Sequence, residues 1–97
     1  MRKLVNVFRR PLPGVKYHCP CCGYKTLEER GGFDICQVCF WEDDGQDGYD
    51  ADVVRGGPNY TLSLSAARRN YFAIGACEER FLKNVRLPSE AEKDRTL

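Results

Sequence analysis

A periodic apolar pattern marks the C-terminal half of the chain. Four apolar residues recur there at intervals of three and four positions, the spacing of one face of an α-helix: Leu64, Ala67, Tyr71 and Ile74. Ser63 stands where an N-cap is expected, and Gly75 stands where a helix ends. The pattern predicts an amphipathic helix between these two residues, with its apolar face in the core and with Arg68 and Arg69 pointing away from it.

The N-terminal half has few residues that can build a core. The clear aliphatics between Cys19 and Gly57 are Leu27, Ile35, Val38, Val53 and Val54. β-Favouring residues alternate partly over 24–28, a turn follows at 29–32, and 33–36 runs back. These segments predict a β-hairpin with a Gly-Gly turn, and such a hairpin alone is marginal in water. It needs a metal or a disulfide to hold it together.

Two cysteine pairs can supply that support. Cys19 and Cys22 form one Cys-x-x-Cys pair, and Cys36 and Cys39 form a second. Two such pairs at this separation in a short chain are typical of a structural zinc site. Because the hairpin places the pairs side by side, we expect a closed tetrahedral site that holds one Zn²⁺ ion. An iron site is the alternative, since four thiolates do not discriminate iron from zinc.

The residues around the first pair fit a tight metal-binding turn. Pro20 fixes φ after the first ligand, and Gly23 can take a positive φ after the second. This register leaves Cys21 projecting from the loop, and a register that uses Cys21 as a ligand loses the two-residue spacing. Phe40 and Trp41 follow the last ligand, and we expect both rings to cover the metal. The alternative is an exposed surface on which nucleobases stack.

Length and compartment favour a metal over disulfides. The 97 residues make one domain. We find neither a signal-peptide pattern nor a stretch of about 20 apolar residues, and therefore expect a cytoplasmic location. In a reducing cytoplasm, paired cysteines bind metal more often than they form disulfides. A secreted disulfide scaffold is the alternative.

Charge is segregated along the chain, although the net charge is only +1. Residues 1–18 carry five basic groups and no acidic group, whereas residues 42–52 carry six acidic groups and no basic group. The six are Glu42, Asp43, Asp44, Asp47, Asp50 and Asp52. They do not fit an EF-hand, because position 12 of a loop that starts at Asp43 is Val54 instead of glutamate. The segment is either a solvated loop or a face that binds a basic partner.

The expected organisation has three parts. Residues 1–16 form a basic lead-in, residues 17–87 form a single zinc-binding domain, and residues 88–97 form a disordered tail. We favour a flexible lead-in, and an ordered edge strand from Leu4 to Phe8 is the alternative. Within the domain lie the zinc hairpin (17–41), the acidic loop (42–57) and the helical part (58–87). The fold class is therefore small α+β: a zinc-ribbon or rubredoxin-knuckle-like β-hairpin packed against a C-terminal amphipathic helix.

Three positions beyond the main helix extend this prediction. Cys77 is expected to be a small buried hydrophobe instead of a nucleophile. Phe81 and Leu82 are expected to continue the apolar contact in a second short helix. All three would add to the same core.

Taken together, these residues resemble the cysteine-rich CPCC family of small bacterial and phage-type proteins. The resemblance rests on Cys-Pro-Cys-Cys-Gly-Tyr-Lys-Thr-Leu, Cys36-x-x-Cys39-Phe-Trp-Glu-Asp-Asp, Arg55-Gly-Gly-Pro-Asn, and the stretches from Ala66 to Tyr71 and from Cys77 to Phe81. It covers about residues 17–88 and implies a zinc-binding role for the four paired cysteines. The basic N-terminus is longer than the usual lead of the family, and Phe40 stands where the wider zinc-ribbon pattern has glycine.

The favoured function is a non-enzymatic zinc-binding module for protein–protein interaction. In this hypothesis the six acidic residues meet a partner with a basic surface. An immunity or antitoxin-type role is one concrete form, because acidic faces suit the blocking of basic nuclease sites. No catalytic constellation is apparent around the single histidine, His18.

Two alternatives stay open on sequence alone. A zinc-ribbon nucleic-acid-binding regulator would use the basic residues Arg2, Lys3, Arg9, Arg10, Lys16, Arg68 and Arg69. Against it, the acidic groups beside the metal would repel phosphate. A thiol-based redox sensor would use Cys21, close to His18, as a reactive thiol. An incidental surface thiol is the simpler interpretation of Cys21.

Overall fold

The described part of the chain folds into short β-structures and one α-helix. The computed structural model describes residues 16–95. Strand β1 spans Tyr17–His18, strand β2 spans Lys25–Leu27 and helix α1 spans Leu64–Ile74. Short 3-10 helices lie at Gly48–Asp50, Gly57–Asn59, Glu79–Phe81 and Glu90–Glu92. The alternative edge strand of the lead-in and the basic residues Arg2, Lys3, Arg9 and Arg10 lie outside the described residues.

Strands β1 and β2 form an antiparallel pair around the first two paired cysteines. Tyr17 lies opposite Leu27, and the register is irregular directly after Tyr17. Beyond the strands, Cys19 N donates to the carbonyl of Tyr24 at 2.8 Å and carries the pairing up to the turn. Leu27 is fully buried, so β2 contributes a large aliphatic side chain to the core. The first cysteine pair therefore lies at the tip of a hairpin of its own.

The segment 33–36 pairs differently from the sequence prediction. It does not return along 24–28; it runs antiparallel to the segment after the second cysteine pair, where Ile35 and Glu42 form a β-bridge. The prediction of one hairpin with a Gly-Gly turn is therefore wrong. Residues 17–43 instead form two hairpins, and each carries one cysteine pair at its tip.

The turn between the two hairpins explains the difference. Glu28 follows β2, and its main-chain N donates to the carboxylate of Asp34 at 2.7 Å instead of to a neighbouring strand. Gly31 and Phe33 then take positive φ values of 72° and 66°. Such left-handed residues redirect the chain. The second arm therefore leaves the edge of β2 and starts a new hairpin.

Helix α1 confirms the predicted boundaries. Ser63 Oγ accepts a hydrogen bond from Ala66 N at 3.1 Å, as an N-cap does. Gly75 ends the helix with a φ of 87°, a left-handed conformation that favours glycine. Leu64 and Ala67 are fully buried, as the pattern predicts. Local sequence signals thus set both ends of the helix and its first contacts.

The C-terminal part of α1 differs from the prediction. Tyr71 packs only partly against the core, and Ile74 is 44% exposed. Arg68, expected to point away from the core, donates from Nε to the carbonyl of Pro20 at 2.8 Å. The predicted apolar face is therefore too long, because the small core covers only the first part of the helix.

Cysteine side chains make up half of the buried core cluster. All six cysteines are fully buried. The larger side chains buried with them are Leu27, Val38, Trp41 and Leu64. Val53 and Val54, two of the few aliphatics of the N-terminal half, are 51% and 53% exposed and add nothing to it. The thiol groups thus take the place that aliphatic side chains fill in most cores of this size.

The segment after α1 partly follows the prediction. Cys77 is fully buried, as predicted, and its main-chain N donates to the carbonyl of Cys39 at 2.7 Å. Phe81 lies in the short helix Glu79–Phe81 and packs on Phe40, with ring centroids 4.8 Å apart. Leu82 is 45% exposed, so its expected apolar contact is not formed.

The described part of the C-terminal tail contains a short helix and contacts the domain. Residues Glu90–Glu92 form a 3-10 helix with Ser89 in a capping box. Arg86 makes two hydrogen bonds of 2.8 Å to the carboxylate of Glu92, and Arg86 N donates to the carbonyl of Gln37 at 3.2 Å. The disordered tail expected from residue 88 stays a prediction, but in the structure polar groups of this segment contact the domain.

A search of the described residues for membrane-spanning helices found none of the required length and apolarity.

We expect the substitution Ser63→Ala to lower the free energy of unfolding by about 1 kcal/mol, since it removes the side-chain acceptor of the N-cap. Urea denaturation at fixed metal content measures this difference. Arg69→Ala, on the exposed side of the same helix, is the matched control and should change stability by less than about 0.5 kcal/mol. Equal effects of the two substitutions would contradict the assigned cap.

Candidate metal centre

The first cysteine turn is closed by main-chain hydrogen bonds. Gly23 N donates to the carbonyl of Cys19 at 2.8 Å, and Gly23 has a φ of 85°. Cys21 N points at the sulfur of Cys19 at 3.4 Å. Such N–H groups offset part of the negative charge of a thiolate. The turn thereby aims the side chains of Cys19 and Cys22 toward the interior.

The second cysteine turn repeats this geometry with a different residue. Phe40 N donates to the carbonyl of Cys36 at 2.7 Å, and Phe40 takes a φ of 70°, as Gly23 does in the first turn. Cys39 N lies 3.5 Å from the sulfur of Cys36. The second turn therefore has the same conformation as the first, although position 40 is phenylalanine instead of glycine. It places a non-glycine residue in a strained conformation.

The four paired thiols meet at one point. The sulfurs of Cys19, Cys22, Cys36 and Cys39 lie within 4.8 Å of one another. Across the two turns, the Cys19 and Cys39 sulfurs are 3.6 Å apart, and those of Cys22 and Cys36 are 3.7 Å apart. Four sulfurs bound to one Zn²⁺ ion at about 2.3 Å lie about 3.8 Å from one another. The two distances across the turns are therefore close to those of a tetrahedral metal site, and the cluster could hold one ion.

Polar groups and burial tune the thiols of this cluster. Burial raises the pKa of both Cys19 and Cys39. Hydrogen bonds from the neighbouring thiols, that of Cys19 first, lower the pKa of Cys36, and the Thr26 hydroxyl, 3.0 Å from the Cys36 sulfur, acts in the same direction. Without a cation, burial of several thiolates together is unfavourable. A divalent ion supplies the charge that allows all four to ionise.

Aromatic side chains close the cluster, as the sequence suggests. Trp41 is fully buried in the same core as the cysteines. Phe40 is partly buried and packs against this core and on Phe81. The alternative, an exposed stacking surface at this dipeptide, is wrong for Trp41, since a fully buried ring cannot receive a base.

The two remaining cysteines lie inside the protein. Cys21 was expected to project from the loop, but its side chain is fully buried. The interpretation of Cys21 as an incidental surface thiol is therefore wrong. His18 is engaged at its Nε2, which donates to the carbonyl of Asp94 at 2.7 Å. The arrangement does not place Cys21 where a solvent-borne oxidant reaches it directly.

Asp43, one of the six acidic residues, is the centre of a buried polar network. Its side chain is fully buried and accepts from Arg30 Nε at 3.0 Å. The main-chain N atoms of Gly31 and Gly45 donate to the same carboxylate at 2.6 and 3.2 Å. The expectation that Asp43 forms part of a partner-binding face is therefore wrong. It fixes the acidic loop to the turn between the two hairpins.

Other acidic residues also face partners within the chain. Asp47 pairs with Arg30 at 2.9 Å, and Asp50 pairs with Arg55 at 2.8 Å. Partial burial opposes ionisation of Asp47, but the hydrogen bond from Gly48 N and the Arg30 guanidinium lower its pKa overall. A hydrogen bond from Asp47 N and the Arg55 guanidinium lower the pKa of Asp50. Much of the charge that looks free in the sequence is neutralised locally.

Sequence reasoning missed the residues that organise this loop. Gln46 is fully buried, and its amide nitrogen donates to the carbonyls of Asp50 and Val53 at 2.9 and 2.6 Å. Asn59 donates to the carbonyl of Glu42 at 2.8 Å. Neither amide follows a recognisable pattern in the sequence. Only the spacing of Arg30 and Arg55 on either side of the acidic segment hints at internal pairing.

Comparison with known proteins identifies the family. The sequence model of the cysteine-rich CPCC family matches residues 17–92, and the chain therefore belongs to this family. The predicted resemblance is confirmed, and the match extends past residue 88 into the tail. Neither the curated proteins nor the solved structures gave a significant match.

We expect Cys22→Ala to abolish metal binding and to unfold the cysteine half, because structural zinc contributes about 10–16 kcal/mol in comparable peptides. Elemental analysis and circular dichroism of protein purified under reducing conditions measure both effects. Cys77→Ala removes an equally buried thiol outside the cluster and is the matched control. It should keep the metal. Retention of a full metal complement by Cys22→Ala would contradict the assigned centre.

We expect Asp43→Asn to destabilise the protein by about 3 kcal/mol, since it removes the fully buried carboxylate that pairs with half-buried Arg30 and holds the loop to the turn. Chemical denaturation with the metal bound gives the value. The control is Asp52→Asn at an exposed position of the same loop, with an expected change below about 1 kcal/mol. A small effect at Asp43 would show that the network is not structural.

Proposed function

We propose that the protein is a non-enzymatic zinc-binding module for protein–protein interaction. The single observation that carries the metal part is the sulfur geometry, with separations of 3.6 and 3.7 Å across the two turns. The ligands would be Cys19, Cys22, Cys36 and Cys39. Four protein ligands leave no open position for a substrate, so the ion has a structural role. Two cysteine hairpins that face each other around one ion support the zinc-ribbon or rubredoxin-knuckle description.

The proposed partner is a protein with a basic surface that meets the outer side of the acidic loop. With Asp43 buried, the carboxylates proposed for this side are Glu42, Asp44 and Asp52. Of these, Asp44 also accepts from Gln46 N, and Asp52 also accepts from Ser65 Oγ. The same loop exposes Tyr49, Val53 and Val54, and Tyr49 is 85% exposed. Large apolar side chains beside acidic groups are more typical of a protein contact than of a solvated loop.

An immunity or antitoxin-type role is a concrete form of this proposal. Acidic surfaces of small proteins suit the blocking of basic nuclease sites, because charge complementarity speeds association and fixes orientation. We place the protein in the cytoplasm, since a reducing compartment keeps clustered thiols available for metal. All six cysteines are free of disulfides in the structure.

The alternatives receive less support. For nucleic-acid binding, only three of the named basic residues lie in the described part of the chain. Lys16 pairs with Glu28 at 3.0 Å, Arg68 binds the carbonyl of Pro20, and Arg69 is exposed. For redox sensing, a reactive cysteine has to be accessible. Cys21 is fully buried.

The test is affinity capture from a cell extract combined with metal analysis of the same sample. We expect stoichiometric zinc and one specific protein partner. Tyr49→Ala combined with Asp52→Lys should lower recovery of the partner by about tenfold, because aromatic anchors dominate interface energies. Glu79→Lys, a charge reversal at an exposed position outside the loop, is the control and should leave recovery unchanged.

Different results would contradict different parts of the proposal. Iron in place of zinc would contradict the metal assignment. Equal recovery by the loop variant and the control would contradict the acidic loop as the contact surface. Capture of nucleic acid in a salt-sensitive manner would favour the regulatory alternative.

A further inference from the structure

A cage of aromatic rings beside the first cysteine turn holds a guanidinium group. The Arg95 guanidinium carbon lies 4.6 Å from the ring centroid of Tyr24, 5.1 Å from that of Phe72 and 5.9 Å from that of Tyr71. Arg95 Nε donates to the carbonyl of Cys22 at 2.8 Å. Several aromatic faces around one cation, with an acceptor at its edge, are an arrangement that recognises cationic side chains. We call these three rings and the Cys22 carbonyl the arginine cage.

The residue before Arg95 is bound as well. The carboxylate of Asp94 pairs with Lys25 at 3.3 Å, and the main-chain carbonyl of Asp94 accepts from His18 Nε2 at 2.7 Å. Two consecutive residues thus contact β1, β2, the first cysteine turn and the end of α1. The surface formed by these elements therefore binds an acidic residue followed by an arginine.

The residues that form the arginine cage lie within the family match, whereas the two residues that occupy it do not. The residues that build the cage, together with His18 and Lys25, all lie within the range 17–92 that the family model matches. Asp94 and Arg95 lie beyond it. The fit is also incomplete, because Arg95 Nη2 is buried without a hydrogen-bond partner. A buried donor without an acceptor is unfavourable, so an occupant that satisfies it can compete for the site.

We propose that the arginine cage binds a partner protein through an exposed Asp-Arg or Glu-Arg segment, and that Asp94 and Arg95 occupy the cage in cis until the partner displaces them. The cage lies apart from the acidic loop, so the inference does not depend on the contact proposed there. It requires only the folded first cysteine turn and helix α1.

Arginine suits the cage better than lysine. A guanidinium group is planar, so its face stacks on Tyr24 while its edge donates to the carbonyl of Cys22. An ammonium group is compact and strongly hydrated, and it cannot make both contacts with one plane. The acidic residue before the arginine is needed because Lys25 otherwise repels a cationic segment. The two contacts together define the chemical class of the ligand.

The cis occupant acts as a competitor of high local concentration. A segment tethered by a short linker has an effective concentration on the order of millimolar, so a free peptide of the same sequence displaces it poorly. Removal of the cis side chains should therefore reveal binding that the natural chain masks. The proposal therefore predicts the direction of the change in peptide affinity: it rises when these side chains are removed.

The test uses the full chain with Asp94→Ala and Arg95→Ala, and a fluorescent peptide of sequence Glu-Lys-Asp-Arg-Thr, as in residues 92–96. Fluorescence anisotropy should show binding at least about tenfold tighter to this variant than to the natural chain. A peptide with lysine in place of its arginine should bind at least about fivefold more weakly. Lys93→Ala, whose ammonium pairs with Glu90, is the matched control and should behave as the natural chain does.

Phe72 allows a check on the location of binding. It is 62% exposed, so Phe72→Ala removes a wall of the cage without opening the core. Added to the variant that lacks the cis side chains, it should weaken peptide binding by about tenfold. Peptide binding that ignores this substitution would overturn the proposal, as would equal binding to the natural chain and to the variant. Absence of binding to a variant that keeps its metal and its helix content would also overturn it.

A second measurement keeps the proposal testable if the double variant does not fold. In the natural chain, the Nε–H resonance of Arg95 should be shifted by the nearby rings. Peptide at about tens of millimolar, in excess over the effective concentration of the cis segment, should return it to the position of a solvated arginine. A resonance that stays in place at saturating peptide would overturn displacement from the cage.

Discussion

The position of four sulfur atoms is the constraint on which the rest of the structure depends. The two cysteine turns come from segments separated by thirteen residues between Cys22 and Cys36, yet their sulfurs approach to 3.6 and 3.7 Å. Each turn is held by its own hairpin, so the distance between the hairpins is set where the sulfurs meet. Because cysteines make up half of the buried core cluster, and four of them form the candidate metal site, this site lies inside the core. A substitution of one of these four cysteines therefore affects both the packing of the core and the candidate metal site.

The two cysteine turns both need a residue with a positive φ, but the steric free-energy cost of this conformation differs between them. Gly23 adopts its positive φ without a steric penalty, whereas Phe40 does so with a side chain, which costs about 1–2 kcal/mol. The packing of the phenyl ring on Phe81 and against the core offsets part of this free-energy cost. Glycine at position 40 would relax the turn and lose the contact to the segment after α1. The aromatic residue thus links the second turn to the C-terminal part of the domain.

Local signals in the sequence were sufficient for some elements and not for others. The ends of α1 follow from Ser63 and Gly75, and the ligand set follows from the spacing of the cysteines. The pairing of the hairpins could not be predicted in this way, because alternation in a segment marks a strand but does not name its partner. The burial of Cys21 and the position of the tail depend on contacts between distant residues, such as that of Arg95 with Cys22, which leave no periodic trace.

The acidic segment shows why charge along a sequence differs from charge on a surface. Six carboxylates in one loop repel one another, and they lie in the same domain as thiols that carry negative charge when they bind metal. The chain reduces this repulsion with Arg30 and Arg55, whose guanidinium groups bind Asp43, Asp47 and Asp50. Arg30 lies in the turn that redirects the chain from the first hairpin to the second. Its ion pairs therefore neutralise the loop and fix the relative position of the hairpins at once, which ties the acidic loop to the sulfur geometry that it surrounds.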